Sequence, residues 1–154
     1  MKPLTLEIKA ALQIQKPTAE VFEAIIDPKK MSNYFISRSS GRMEEDETLI
    51  WNFPEFDIDF SIRVSKIKYE EYISFYWIVD EQELFVEITL THREKNSTLV
   101  TVTEKSMKND EAGIKWLIGN TEGWANFLAC LKAYFEYGIN LRKGAFEFLK
   151  SEDS

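Results

Sequence analysis

Apolar and polar residues alternate along most of the chain, a pattern typical of β-strands with one buried face. The first alternating run covers residues 4–14. The clearest one runs from Phe56 to Val64, with aspartate, serine or arginine at every second position. Similar runs fill residues 36–104. Together they predict about seven strands, one N-terminal and six later, paired as an antiparallel sheet with one polar and one apolar face.

A helical pattern is clear only towards the C-terminus. Within residues 121–137, large apolar side chains recur at spacings of three and four and form one stripe: Trp124, Phe127, Leu128, Leu131 and Phe135. Thr121 is the expected N-cap, and Gly138 is the expected end in the left-handed conformation. The pattern leaves open whether residues 110–120 continue into this helix. The apolar stripe requires a partner surface, which the sheet supplies.

Two short helical segments are predicted between the first strand and the later ones. Thr18 is the expected N-cap of the first segment, and Asp27 and Pro28 end it. Residues 29–35 predict a second helical turn that directs Tyr34 and its neighbours inward. Neither segment is long enough to be stable alone, so both are expected to pack on the sheet.

The composition fits one domain that spans residues 1–154, with a core at 1–138 and a C-terminal docking segment and free end at 139–154. The chain has 26 acidic and 19 basic residues and a net charge of −7, which argues against nucleic acids and anionic membranes as partners. No apolar run approaches the roughly 20 residues that insert into a membrane. The first residues alternate instead of forming the apolar block of a secretory signal, so a cytoplasmic location is expected.

Residues that usually carry catalysis or bind metals are sparse. His92 is the single histidine and Cys130 the single cysteine, and Cys130 is expected to be a small buried residue. The acidic runs at 44–47 and 80–83 fit solvated turns. The sequence contains no phosphate-binding or dinucleotide-binding motif. It therefore predicts no cofactor and no metal, and it leaves catalysis undecided with the balance against an enzyme.

The order of elements and two local motifs resemble a known family. A strand, two short helices, six antiparallel strands and a long C-terminal helix are similar to the helix-grip order of the START-like (SRPBCC) superfamily. The stretch PTAEVFEAI at 17–25 resembles that superfamily's first helix, and GWANFL at 123–128 with LKAYF at 131–135 resembles a GW…L…LK…L signature. That signature belongs to the branch of homologues of the heat-shock-protein-90 ATPase activator's C-terminal domain. The resemblance implies an α+β fold whose curved sheet wraps around the long helix.

The residues expected on the facing surfaces of sheet and helix are mainly aromatic. They form a solid core if they interlock, or line an apolar cavity if the curvature keeps them apart. The predicted ligand-binding set comprises Tyr34, Trp51, Phe53, Phe60, Phe75, Trp77, Trp124, Phe127 and Leu131. Asn52, Tyr76 and Asn126 are further polar candidates, and Arg38 is the cation expected near the mouth of the cavity.

Three functions follow from these observations. The leading one is binding of a small hydrophobic or amphipathic molecule without catalysis. The second, implied by the resemblance, is a protein-interaction domain that regulates a chaperone, and the third is a cyclase-like or hydrolase-like enzyme. Apolar residues in the tail are expected to dock on the domain or to form a two-fold homodimer contact: Leu141, Phe146, Phe148 and Leu149.

Overall fold

A computed structural model describes residues 4–79 and 81–150. Within them, seven strands form one antiparallel sheet in the order β1-β7-β6-β5-β4-β3-β2. Consecutive strands from β2 to β7 are neighbours, and β1 closes onto β7, so the chain's first and last strands pair. The strands are β1 Thr5–Ile14, β2 Arg38–Ser39, β3 Thr48–Phe53, β4 Phe56–Lys68, β5 Tyr72–Val79, β6 Gln82–Arg93 and β7 Ser97–Lys108.

In the described residues, three α-helices accompany the sheet: α1 Thr18–Ile26, α2 Pro28–Met31 and α3 Glu111–Tyr137. Two short 3-10 turns occupy Glu94–Asn96 and Glu147–Leu149. This arrangement is the α+β helix-grip fold predicted from the sequence, with α3 packed against β1 and β7. None of the helices in the described part of the chain is both long and apolar enough to cross a membrane.

The N-cap of the long helix lies eleven residues before the predicted one. Asp110 is its N-cap and accepts a hydrogen bond from the Gly113 amide at 2.8 Å, whereas Thr121 lies inside the helix and its hydroxyl donates to the Leu117 carbonyl. Thr121 as N-cap was therefore wrong, because glycines at 113 and 119 obscured the helical pattern upstream. Gly138 ends the helix with φ of 67°, as predicted.

The N-cap predicted for the first short helix is also wrong. Pro17 occupies the N-cap position without a side-chain hydrogen bond, and Thr18 is the first helical residue. Asp27 ends α1 and caps α2, because its carboxylate accepts a hydrogen bond from the Lys29 amide at 2.9 Å. The chain thus uses a single aspartate to separate two helices.

The core lies between α3, the short helices and one face of the sheet. The alternating apolar residues of β6, which lie in the run predicted for residues 36–104, are all buried: Leu84, Val86, Ile88 and Leu90. Cys130 is buried as well and forms no disulfide; burial raises the pKa of its thiol. Of the predicted free end, residues 151–154 lie outside the described residues.

Candidate ligand-binding cavity

An open cavity of about 580 Å³ lies between the sheet, α3 and the C-terminal segment, which is defined here as residues 139–150. Its sheet wall consists of side chains from β3, β4 and β5: Phe53, Phe56, Phe60, Trp77 and Val79. Phe35 adds a further ring from the loop after α2. Pockets of this size accommodate small organic ligands. The facing surfaces therefore do not interlock completely.

The rings of the cavity wall hold one another in defined orientations. Phe35 and Phe53 meet edge to face with 5.1 Å between ring centroids, and Phe53 and Phe60 do the same at 5.2 Å. Trp77 on the sheet and Trp124 on α3 lie 5.7 Å apart. Edge-to-face pairs of this kind add stability beyond the apolar area that they bury. The wall is consequently a preformed aromatic surface.

The helix presents bare backbone to the cavity at two positions. Gly119 and Gly123 lie about one turn apart and both line the space. A Cβ added at either position would meet no atom within 4 Å. Glycine inside a helix costs about 1 kcal/mol relative to alanine, and close packing gives no reason for it here. Both positions are exposed, so the two glycines lower helix stability without any close contact that requires them.

A buried carboxylate fixes the two tryptophans of the cavity. Glu104 on β7 has no exposed surface and accepts hydrogen bonds from Trp77 Nε1 at 2.7 Å and Trp124 Nε1 at 2.8 Å. Asn120 Nδ2 donates a third at 3.1 Å. No cation pairs with Glu104 in residues 4–79 and 81–150, so these three donors replace its lost hydration. Glu104 thus joins β5, β7 and α3 directly behind the cavity wall.

An arginine from the C-terminal segment forms the opposite wall. Arg142 is ion-paired with Glu55, and their side chains are only 14% and 6% exposed. The guanidinium lies 4.8 Å from the ring centroid of Phe146 and 5.7 Å from that of Phe53. Its Nε atom is buried and has no hydrogen-bond partner among the described residues. The segment is therefore anchored through a largely desolvated ion pair.

Comparison with known proteins shows the family to which this chain belongs. Residues 15–136 match the family described as Activator of Hsp90 ATPase homolog 1-like protein. The chain belongs to this family. The resemblance inferred from the sequence to this branch of the START-like superfamily is thereby confirmed. No curated protein matches the chain.

Solved structures support the same family and fold. Protein SSP2350 from Staphylococcus saprophyticus is 32% identical, with a TM-score of 0.77 over 87% of this chain and 94% of that one. DynU16, from the dynemicin biosynthetic locus, is 24% identical with a TM-score of 0.76, over 86% of this chain and 48% of that one. The Aha1 dimer from Colwellia psychrerythraea is 17% identical with a TM-score of 0.74, over 86% and 98%. The last two likenesses concern the fold alone.

In this family member, the nine residues predicted to bind a ligand divide into two groups. Four line the cavity: Phe53, Phe60, Trp77 and Trp124. The other five lie in the packed core behind it: Tyr34, Trp51, Phe75, Phe127 and Leu131. Tyr34 donates its hydroxyl hydrogen to the Ala24 carbonyl at 2.8 Å, and burial raises its pKa well above the usual value. Contact with a ligand stays a prediction for the whole set.

The other polar candidates are dispersed. Asn126 lines the cavity, but Tyr76 packs against Phe85 and the guanidinium of Arg63. His92 is exposed at the end of β6. No group of three or more metal-ligating side chains comes together in the portion that the structure describes.

The cation expected near the mouth of the cavity, Arg38, does not line the cavity itself but an adjoining groove that shares Phe53 and Phe56 with it. Arg38 donates hydrogen bonds to Asn52 Oδ1 at 3.2 and 3.3 Å, in a second open groove of about 680 Å³ that also includes Asp57 and Asp59. The position expected for Arg38 is taken by Arg142, because the C-terminal segment folds back over the cavity.

Sequence reasoning missed Glu104 and Arg142. Glu104 had a usable signal, because it follows Val100 and Val102 at the inward positions of β7, where a charged residue requires buried partners. Arg142 had none, since its partner Glu55 is 87 residues away along the chain.

Proposed function

We propose that this chain binds a small hydrophobic or amphipathic molecule in the cavity between the sheet and α3, and does not transform it. The observation that carries the proposal is the pair of cavity-lining glycines, whose missing side chains leave open space against an aromatic wall. A helix that only packed against the sheet would gain stability from alanine at both positions. Glycine at both positions leaves room for a guest molecule.

The cavity's polar groups favour binding over catalysis. The buried Glu104 carboxylate is already engaged by two indoles and an amide, and it lies behind Trp77 and Trp124. A general acid or base must come within hydrogen-bond distance of the reacting group. Glu122 is the carboxylate that lines the cavity itself, and it is exposed to solvent. A cyclase-like or hydrolase-like reaction therefore has weaker support.

Native mass spectrometry of freshly purified protein tests the proposal by searching for a co-purifying small molecule. Titration with the uncharged fluorescent probe N-phenyl-1-naphthylamine provides a second test. Gly123→Leu introduces a side chain into the cavity and is expected to weaken probe binding at least about tenfold. Ala125→Leu, at an exposed position two residues along α3, is the matched control and should bind like the wild type. If Gly123→Leu binds the probe as tightly as Ala125→Leu does, the proposal is refuted.

Regulation of a chaperone is the second candidate, and membership of the Activator of Hsp90 ATPase homolog 1-like family favours it. The chain would then contact an Hsp90-type chaperone and stimulate its ATP hydrolysis. Measuring the chaperone's ATPase rate against increasing concentrations of this protein tests the idea. If the ATPase rate at saturating concentrations of this protein equals the rate of the chaperone alone, this candidate is refuted.

We extend the proposal to a homodimer formed through the C-terminal segment, and to the cytoplasmic location expected from the sequence. Leu141, Phe148 and Leu149 are 49%, 72% and 45% exposed, and the Colwellia psychrerythraea relative is described as a dimer. Analytical ultracentrifugation of the wild type and of Leu141→Ser/Phe148→Ser tests the contact. A wild-type dimer that becomes a monomer in the double variant supports this contact. Equal masses for the wild type and the double variant contradict it.

A further inference from the structure

We propose that the C-terminal segment is a hinged lid over the cavity, held closed by the ion pair between Arg142 and Glu55, and that its opening controls how fast a small molecule enters and leaves. The inference rests on the proposed binding function and adds the control of access to it. The segment follows residues 15–136, the part of the chain that matches the family. The lid is therefore a feature of a part of this chain that the family match does not include.

The segment covers two rings of the cavity wall. Phe35 and Phe53 line the cavity, yet only 7% and 8% of their surfaces are exposed. The guanidinium of Arg142 lies 6.0 Å from the ring centroid of Phe35 and 5.7 Å from that of Phe53. A guest molecule therefore gains full contact with these two rings only when the segment moves away.

The segment is weakly attached to the rest of the domain. Within residues 139–150 only Arg142 and Phe146 are partly buried, and the remaining residues are exposed. From Asn140 onwards, the backbone hydrogen bonds in the described structure stay within the segment, as does the one from the Ala145 amide to the Arg142 carbonyl at 2.9 Å. Segments with few buried contacts open locally at a low cost in free energy.

Gly138 supplies the hinge. It ends α3 with φ of 67°, and a Cβ added there would meet no atom within 4 Å. Glycine adopts both signs of φ about equally well, so the chain can rotate at this residue without disturbing α3. Its neighbours Tyr137 and Ile139 are 67% and 54% exposed, so close packing does not oppose the rotation.

One ion pair joins the segment to the rest of the domain in the described part of the chain, since the pair of Lys150 with Glu147 lies within the segment. The side chains of Arg142 and Glu55 are 14% and 6% exposed, so closing the segment removes both charges from water. This desolvation offsets much of their attraction.

The closed position carries a second cost. Arg142 Nε is buried without a hydrogen-bond partner among the described residues, and an unpaired buried donor is unfavourable. Opening returns the guanidinium and the carboxylate of Glu55 to water and hydrates this donor. The open and closed positions therefore lie close in free energy, as a lid requires.

Limited digestion with trypsin measures the opening without any ligand. Lys143 is exposed, but its amide and that of Ala145 are held in hydrogen-bonded turns, so cleavage after Lys143 requires local unfolding of the segment. The cleavage rate, followed by mass spectrometry, thus reports the open population. Glu55→Gln removes the partner of Arg142 without changing the segment's own sequence. Asp57→Asn is the matched control, because it removes a negative charge from an exposed position nearby in the chain.

Glu55→Gln is expected to raise the rate of cleavage after Lys143 at least about tenfold, because it leaves the charge of Arg142 without a counter-ion in the closed position. Asp57→Asn should stay within about twofold of the wild type. Equal cleavage rates for Glu55→Gln and Asp57→Asn would overturn the lid, whether or not the cavity binds a ligand.

Stopped-flow fluorescence with N-phenyl-1-naphthylamine tests the control of access. If opening limits access, Glu55→Gln should raise the association and dissociation rate constants together, each at least about fivefold. A segment that served only as a wall of the cavity would change the dissociation rate constant alone. An association rate constant equal to that of the wild type would therefore overturn the control of access.

A measurement on the wild type keeps the inference testable if Glu55→Gln does not fold. Saturating N-phenyl-1-naphthylamine should slow cleavage after Lys143 at least about threefold, because the closed segment contacts the bound molecule. An unchanged cleavage rate with the probe bound would overturn the lid. If the probe does not bind the wild type, the proposed binding function fails, and the cleavage rates of the variants still decide whether the segment opens.

Discussion

The hydrogen bonds of Glu104 predict a large effect from replacing one atom. In Glu104→Gln, one carboxylate oxygen becomes an NH₂ group, which then faces an indole N–H instead of accepting from it. One of the three bonds in the wild type is lost outright, and the remaining two lose the contribution of a charged acceptor. A buried donor left unpaired costs about 1–3 kcal/mol, and the charged bonds exceed neutral ones by about 1 kcal/mol each. The gain from no longer burying a charge offsets part of this loss.

We expect Glu104→Gln to lower the free energy of unfolding by about 2 kcal/mol and the Tm by roughly 4–8 °C. Urea unfolding followed by tryptophan fluorescence measures the first quantity, and the native emission maximum should move to longer wavelength as Trp77 and Trp124 lose their anchor. Glu83→Gln is the matched control, because its partner Arg63 and Glu83 itself are both more than half exposed. It should cost no more than about 0.5 kcal/mol. A Glu104→Gln variant as stable as this control would refute the role assigned to Glu104.

Three further outcomes are expected. Gly119→Ala/Gly123→Ala should raise the free energy of unfolding by about 1.5 kcal/mol, because each methyl group enters open space in a helix; destabilisation in urea would contradict the open geometry. Burial and the hydrogen bond from Tyr72 to Glu87 raise the pKa of Tyr72 to about 12. Its stabilising contribution is therefore complete below about pH 10 and is lost as pH rises towards 12. Ultraviolet titration of wild type and Tyr72→Phe tests this. If the tyrosine that is missing from the titration curve of Tyr72→Phe titrates near pH 10 in the wild type, the raised pKa is contradicted. The buried thiol of Cys130, whose pKa is raised, should react with Ellman's reagent only on unfolding; rapid reaction of the native protein would contradict its burial.

The strands and the body of the long helix were predictable because the apolar period of each element is local, whereas the pairing of β1 with β7 was not predicted. The run of alternating residues in β6 identified its buried face correctly, and Gly138 marked the end of α3 through its positive φ. The start of α3 could not be placed in the same way. Gly119 and Gly123 line the cavity and Gly113 lies against the Lys108 backbone, and the low helix propensity of these glycines misled the prediction.

The candidate site was only partly predictable. An inward aromatic residue such as Trp77 has the same sequence pattern as Phe75, yet one lines the cavity and the other lies in the core. The difference depends on where the sheet and α3 diverge. The spacing of apolar residues along the sequence does not show that place. The role of Arg142 depends on a long-range ion pair with Glu55, so the fold had to be known before the arginine could be recognised.

The most direct test of ligand binding in this cavity is a nuclear magnetic resonance titration that follows the indole N–H signals of ¹⁵N-labelled protein with N-phenyl-1-naphthylamine. Trp77 and Trp124 line the cavity, whereas Trp116 is buried outside it and provides an internal control. The account predicts saturable shifts of the Trp77 and Trp124 signals with little change at Trp116. Unchanged signals from Trp77 and Trp124 under saturating probe, or shifts confined to the groove around Arg38, would contradict it.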